Sequence, residues 1–335
     1  MKKIALIYTG GTIGMQANAQ GQLAPVHFED LRAMLPAMDL LPGALQWFSL
    51  EEPVDSSNMT HRHWVELVEL VEENYHDFDG FVVLHGSDTM AYTASALSFM
   101  IRNLDKPIIL TGSQLPLGVL RTDAVENLIT SVELALQSDA SGAPLIQEVA
   151  IYFEYTLLRG NRAYKRSSNE FNAFSSPNYP ALLESGVKIK VNKEALLRPK
   201  GPVSFHKAVS NAVGVITLYP GLDWDNLTPL AHWQVVLLRS FGAGNVQNTP
   251  AFSRFLTKCQ EKNIVVLNSS QCVSGAVLPG EYESSAPLDG FKVLGINDMT
   301  FEAALVKAMV ILGELKEGDD FAQLFGLSLA GEVAQ

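Results

Sequence analysis

Lys3-Ile-Ala-Leu-Ile-Tyr-Thr-Gly-Gly-Thr-Ile-Gly14 decides the reading of this 335-residue chain. Ile4 to Tyr8 is a short apolar run of strand formers, broken at once by Gly10-Gly11, which predicts a buried strand running into a tight turn. In open α/β sheets, ligands bind outside the carboxyl ends of the strands. Thr12 puts a hydroxyl there, beside backbone that two glycines allow to approach a ligand closely. A dinucleotide loop would need a glycine where Thr12 stands, and a phosphate-cradling loop would need a Gly-Lys-Ser/Thr that does not follow.

The same grammar recurs downstream. Gly80-Phe-Val-Val-Leu-His85-Gly-Ser-Asp88-Thr-Met90 reads as a second buried strand opening into a polar turn, with a helix over Tyr92 to Arg102. Lys106-Pro-Ile-Ile-Leu-Thr-Gly-Ser-Gln114 is a third, with a helix over Asp123 to Leu136. Further strands are expected at Ala44 to Leu50 and Val149 to Glu154. A helix is expected at Phe28 to Leu35, and another through Trp64, Leu67, Val68 and Val71, capped by Asn58 or Thr60. Strand, turn, helix, strand is the pattern of a parallel, doubly wound sheet, and right-handed crossovers put all these turns on one edge.

Gly186 to Ala212 is basic, Pro/Gly-punctuated and weakly periodic, after which the alternation restarts. Strands are expected at Val213 to Tyr219, Val235 to Arg239 and Ile264 to Asn268, and helices at Phe252 to Gln260 and Thr300 to Leu312. The fold class is therefore α/β with two α/β domains. A larger N-terminal domain with a doubly wound, mostly parallel sheet is expected over residues 1–187, a linker over 188–212, and a smaller C-terminal domain over 213–335.

Apolar content of 47% with 18% charged residues is that of a globular chain, and a net charge of −12 argues against broad nucleic-acid binding. The basic stretch Lys188 to Lys207 reads as a solvated connector. Cys259 and Cys272 form neither a disulfide framework nor a metal-spaced cluster. Lys2-Lys3 precede only five apolar residues, too few for a signal peptide, and no apolar run approaches the roughly 20 residues that span a bilayer. A soluble, cytoplasmic protein is expected, with no nucleic-acid or membrane partner.

Thr12 and Ser87-Asp88-Thr89 are nucleophile-capable residues on two strand-end turns. Each turn is expected to lead into a helix whose N-terminal amides stabilise a developing oxyanion. No Gly-x-Ser-x-Gly elbow occurs, which counts against an α/β-hydrolase. The histidines include no His-Glu-x-x-His; His61 and His63 sit at a solvated helix start, and His85 reads as a hydrogen-bonded structural residue. No metal site and no cofactor are expected.

Thr9-Gly-Gly-Thr-Ile-Gly14 together with His85-Gly-Ser-Asp-Thr-Met90 resembles the two signatures of the asparaginase/glutaminase family, and is most similar to the bacterial cytoplasmic type I L-asparaginases. Asp55-Ser-Ser-Asn-Met-Thr60, Ala91 to Met100, Thr111-Gly-Ser-Gln-Leu-Pro116, Arg159-Gly-Asn-Arg162, Leu238 to Asn245 and Asn297 to Glu302 look like that group as well, so the resemblance covers nearly the whole chain. It implies a cofactor-free amidohydrolase that converts L-asparagine to L-aspartate and ammonia. Thr12 would attack the side-chain amide and form an acyl-enzyme; Ser87, Asp88 and Lys165 would form a second cluster, with Lys165 holding or accepting the Ser87 proton. Ser87 would either orient the attacking water or relay its proton. Asp88 is the expected partner of the substrate ammonium, and Ser56 with the Gly86-Ser87 amides that of its carboxylate, with Gly11 and Asp55 alongside. Asn245 would reach the site of a neighbouring subunit, since the family is similar to dimers of dimers; a homo-oligomer is expected.

Three departures accompany the resemblance. Ser87 replaces the usual threonine, keeping the hydroxyl but losing the methyl that restricts χ1. Gln22 stands where the family places a tyrosine against the nucleophile; its amide can still hydrogen-bond a hydroxyl. Arg239 and Cys272 match positions of an allosteric asparagine site, but Tyr164 stands where a smaller residue is usual, so no allosteric control is expected. The competing readings are a mixed glutaminase-asparaginase, an asparagine-binding protein with impaired turnover, and an amidotransferase subunit. The last would call for an N-terminal extension and a basic face, against a chain that starts on its first strand and is acidic.

Overall fold

The structure, a computed structural model, describes all residues except 18–22, 26–35, 278–287, 289 and 335. Gln22 and the helix expected at Phe28 to Leu35 lie outside the described residues. The chain divides into two compact units, Met1–Lys207 and Ala208–Gln335.

In the first unit, β1 (Lys3–Tyr8), β2 (Ala44–Ser49), β3 (Gly80–Leu84), β4 (Ile108–Thr111) and β5 (Val149–Phe153) are parallel neighbours in the order β2-β1-β3-β4-β5. Three antiparallel strands continue the sheet beyond β5: β6 (Thr156–Arg159), β7 (Leu183–Glu184) and β8 (Lys190–Val191). Strand order reverses between β1 and β3, the kind of switch point where doubly wound sheets open a crevice at their carboxyl ends.

Period-two alternation divides each strand between two buried faces. Ile4, Leu6, Val82, Leu84 and Ile109 pack with Leu128 and Val132 of α3 (Ala124–Leu136). On the other face lie α1 (His61–Asn74) and α2 (Met90–Met100), and Tyr75 at the end of α1 stacks on Phe81 of β3 with ring centroids 6.2 Å apart. The four apolar positions of α1 at helical spacing, Trp64, Leu67, Val68 and Val71, are the ones it buries. Thr60, not Asn58, caps α1, and its backbone N–H donates to His63 Nδ1 at 2.9 Å. His63 thus serves the helix start.

The second unit restarts the alternation with four parallel strands in sequential order: β9 (Val213–Thr217), β10 (Val235–Ser240), β11 (Val265–Ser270) and β12 (Val293–Gly295). α4 (Pro250–Glu261) packs Phe252, Phe255 and Leu256 on Val236, Leu238 and Val266, and α5 (Phe301–Glu314) packs Ala304, Ala308 and Ile311 on Val235, Leu237 and Leu267. The tail after α6 (Phe321–Gly326) is pinned to α5 by a fully buried ion pair: Lys307 Nζ lies 2.6 Å from Glu332 Oε1 and donates to the Leu327 carbonyl at 2.6 Å.

The expected linker is built differently. Lys190–Val191 belongs to the large sheet, paired with Leu183–Glu184, and Ser204–Phe205 pairs with Ile101–Arg102. The first unit accordingly runs to Lys207. Strand pairs of two residues are too short to leave a periodic signal, and the Pro/Gly punctuation around them reads as linker. Among the described residues no helix is long and apolar enough to cross a membrane.

Candidate active site

Three strand ends of the first unit stand level, with Tyr8 opposite Leu84 and Leu84 opposite Thr111. The turns that follow them press together backbone on backbone. Thr9 donates to the Leu84 carbonyl from both its N–H and its hydroxyl, each at 3.0 Å, and the His85 N–H donates to the Thr111 carbonyl at 2.8 Å. Gly11 has φ 93°, and a β-carbon on it would overlap the Gly86 backbone. A β-carbon on Gly86 would in turn overlap the Ser56 side chain. These glycines are what allow the Thr12 turn, the Ser87 turn and Ser56 to share one small volume.

Thr12 is half-buried at the start of a three-residue 3-10 turn, Thr12–Gly14. The chain then becomes the strand Met15–Ala17, paired with Leu23–Pro25. This corrects the expectation of a helix after the first turn. Gly14 is seated on the Tyr8 ring, and antiparallel pairing captures the chain before a helix can propagate. A 3-10 turn this short carries no helix-dipole argument. The second turn does lead into α2, with Thr89 at its cap and the Thr89 hydroxyl donating to the Ser56 carbonyl at 2.7 Å.

Lys165 comes from a two-stranded ribbon, Tyr164–Lys165 against Phe174–Ser175. Its Nζ donates to Ser87 Oγ at 2.8 Å and to Asp88 Oδ1 at 2.6 Å. The lysine side chain is 17% exposed and the Asp88 side chain 63%, so the cluster opens to solvent on the carboxylate side. A pair this exposed adds little to stability. It holds an ammonium, a hydroxyl and a carboxylate within one hydrogen-bond length, which is what a proton relay requires.

Ser56 is buried against Gly86, whereas the Asp55 carboxylate is occupied locally: its Oδ1 accepts from the Ser57 N–H at 2.8 Å and the Ser57 hydroxyl at 2.7 Å. Those bonds hold the Asp55 carboxyl below its usual range. His85 is fully buried, with Nδ1 2.7 Å from the Gly86 carbonyl, and burial pushes its pKa down to about 4. A ring that stays neutral at ordinary pH agrees with a structural role. Arg159 sets the chain leading to Lys165, through its 2.6 Å ion pair with buried Glu148 and its bond to the Ala195 carbonyl at 2.7 Å.

Asn245, Arg239 and Cys272 belong to the second unit. Asn245 closes a tight loop in which its N–H donates to the Phe241 carbonyl at 2.7 Å, with Gly242 and Gly244 at positive φ. The Arg239 guanidinium lies 4.5 Å from the centre of the Phe301 ring, and Cys272 is exposed and free. Tyr164 is half-buried. Among the described residues no group of three or more His, Cys, Asp or Glu side chains is placed to hold a metal ion. Gln114 lies within the Thr111-Gly-Ser-Gln-Leu-Pro116 motif and carries no expectation of its own, whereas Thr89, expected only as a nucleophile-capable hydroxyl, braces the Ser56 turn. Their strand-end positions were the available signal.

The chain matches the family profile described as Asparaginase, N-terminal over residues 3–197, and that of the Glutaminase/Asparaginase C-terminal domain over residues 212–325. It is 39% identical to L-asparaginase 1 of Escherichia coli K12, covering 99% of this chain and 98% of that protein. Among solved structures, L-asparaginase I of Vibrio cholerae superposes with a TM-score of 0.86 at 36% identity, covering 100% of this chain and 99% of that one. The thermostable L-asparaginase of Thermococcus kodakarensis gives 0.89 at 29% identity over 99% of each chain. With both domains matched and the likeness running the whole length, the chain belongs to the asparaginase family.

Proposed function

We propose that the protein is an L-asparaginase that hydrolyses L-asparagine to L-aspartate and ammonia through a Thr12 nucleophile. The observation that carries the reading is the contact of Lys165 Nζ with Ser87 Oγ at 2.8 Å and Asp88 Oδ1 at 2.6 Å, beside the turn that bears Thr12. The Thr12 oxygen adds to the substrate's side-chain carbonyl carbon and gives up its proton. The C–N bond breaks, ammonia leaves with a proton from the relay, and an ester to Thr12 remains. Water then adds to that ester, aspartate departs and the Thr12 hydroxyl is restored. Ser87 and Lys165 carry the proton traffic, since a hydroxyl is a weak nucleophile until a neighbouring base takes its proton.

Asp88, with an exposed carboxylate, suits the substrate's α-ammonium, and buried Ser56 beside the Gly86 backbone suits its α-carboxylate. We infer further that Asn245 completes the site of a second subunit, in a cytoplasmic dimer or dimer of dimers. A mixed glutaminase-asparaginase is the second reading, favoured by the glutaminase/asparaginase character of the matched C-terminal domain. One extra substrate methylene changes binding by only about 1–3 kcal/mol.

Steady-state ammonia release from L-asparagine and L-glutamine, beside Thr12→Ala, tests both. Release from asparagine, abolished in Thr12→Ala with an unchanged melting temperature, is the expected result. Wild-type turnover in Thr12→Ala would refute the assigned nucleophile. No release from the wild-type protein would leave an asparagine-binding protein, with Gln22 in place of the family's tyrosine.

A further inference from the structure

Lys165 stands on a ribbon whose two strands pair over only two residues, Tyr164 with Ser175 and Lys165 with Phe174. A ribbon this short does not hold itself in place. Its turn is braced internally by Arg166, whose N–H donates to the Ala173 carbonyl at 2.8 Å, whose Nε donates to the Asn172 carbonyl at 2.9 Å, and which pairs with Glu170 at 2.7 Å. Bonds within the turn shape the ribbon but do not register it against Ser87.

Buried Phe174 seats the ribbon on the large sheet, its ring 5.1 Å from that of Phe153, and the polar tie to the Ser87 turn comes from Gln114, the first residue after the third strand-end turn. Its own main chain is fixed, because the N–H donates to both carboxylate oxygens of buried Asp123, at 2.9 and 3.1 Å, and the Leu115 N–H joins at 3.1 Å. From this anchor the side-chain amide reaches two ways. Nε2 donates to the Glu170 carbonyl at 2.8 Å, and Oε1 lies 3.5 Å from Ser87 Oγ. The amide cannot be turned around without loss, since a carbonyl accepts only, so the NH2 must face Glu170 and the oxygen must face the Ser87 hydroxyl. The Arg121 guanidinium, 5.9 Å from the Phe171 ring, adds a second contact between the same loop and the same turn.

We propose that Gln114 is a positioning residue of the hydrolytic site: one amide ties the Lys165 ribbon and the Ser87 turn to a common anchor and sets the distance between their reacting groups. The proposal rests on the reading above that Ser87 and Lys165 act together. The polar chain then runs from the Lys165 ammonium to the Ser87 oxygen, from the Ser87 hydroxyl to Gln114 Oε1, and from Gln114 Nε2 to the Glu170 carbonyl. Loosening its last link lets the lysine drift from the serine, and a displacement of about 1 Å at a reacting group costs on the order of 100-fold in rate.

Gln114→Met and Gln114→Glu test this, since both keep the side chain's length and both lose the donor to the Glu170 carbonyl. The assay is steady-state ammonia release from L-asparagine, with thermal melts, beside Ser87→Ala and Lys165→Met. The expected result is a kcat lowered roughly 10- to 100-fold with KM changed less than about threefold, the signature of an interaction that serves the chemical step and not ground-state binding. Should Gln114→Met not fold, Gln114→Glu carries the test alone. A folded variant with kcat within about twofold of wild type, or a loss expressed in KM alone, overturns the proposal. The underlying reading fails by a different result: wild-type kcat in Ser87→Ala or in Lys165→Met.

Discussion

Replacing Glu332 with leucine removes one half of an ion pair whose two side chains are both 0% exposed. Lys307 Nζ would keep the Leu327 carbonyl at 2.6 Å but lose the carboxylate at 2.6 Å. The same carboxylate accepts the backbone N–H of Leu329 at 3.0 Å and of Ala330 at 2.8 Å. Breaking a buried pair from one side costs about 3–5 kcal/mol, and each orphaned amide adds about 1 kcal/mol or more. Deprotonation of the stranded lysine limits the total, so about 4–6 kcal/mol is expected. At about 4 °C per kcal/mol for a unit of this size, the second unit should melt roughly 15–25 °C lower. Circular dichroism melts of the wild type, Glu332→Leu and the double variant Lys307→Met/Glu332→Leu provide the assay. The double variant should recover about half of the loss, because no charge is then buried alone while the Leu329 and Ala330 amides still lack the carboxylate. The sign with pH follows from the Glu332 carboxyl. Burial acts to raise its pKa, but Lys307 and the backbone amides hold it below the usual range. Its stabilisation is present above the unfolded value of about 4.3 and is lost as pH falls through the lower folded value. A single Glu332→Leu variant that melts within about 2 °C of wild type would refute the reasoning.

Two further outcomes are expected. Gly11→Ala forces a β-carbon into the Gly86 backbone at a φ of 93°, displacing both turns together; kcat should fall on the order of 100-fold with a destabilisation of about 1–3 kcal/mol, and wild-type kinetics would contradict the packing described. The His85 ring, its pKa pushed down to about 4 by burial, should hold neutral 15N shifts from pH 8 to about pH 5. Because the unfolded ring protonates near 6.5, His85 lowers stability as pH falls from there toward 4, and a folded-state titration near 6.5 would contradict its burial.

The strands and helices that position the site were legible because they bury at fixed periods: Ile4 to Tyr8, Gly80 to Leu84 and the Trp64-Leu67-Val68-Val71 stripe need no tertiary knowledge. The candidate residues stood on a different footing. Nothing in spacing brings Lys165 to Ser87; the motif resemblance nominated it, and the contact itself depends on a two-residue ribbon that carries no period. Gln114 stands inside a motif with no part legible from its position, because its amide spans two loops remote in sequence. The missing helix after Thr12 has the same origin. Local propensity allowed a helix there, and pairing with Leu23–Pro25 overrode it.

The order β2-β1-β3 also bears on how the molecule assembles. β1 is an interior strand whose two neighbours both follow it in the sequence, Ile4 lying beside Leu45 on one side and Gly80 on the other. During synthesis its apolar residues therefore wait, unpaired on both edges, until β2 and β3 have emerged. Parallel pairings of this kind are closed late because the intervening chain must first be gathered. The Thr12 turn meets the Ser87 turn only when β1 slots between its neighbours, so catalysis cannot recover before that pairing closes. An intermediate can hold its helices and remain silent in an ammonia assay, while offering that waiting strand to any other exposed edge.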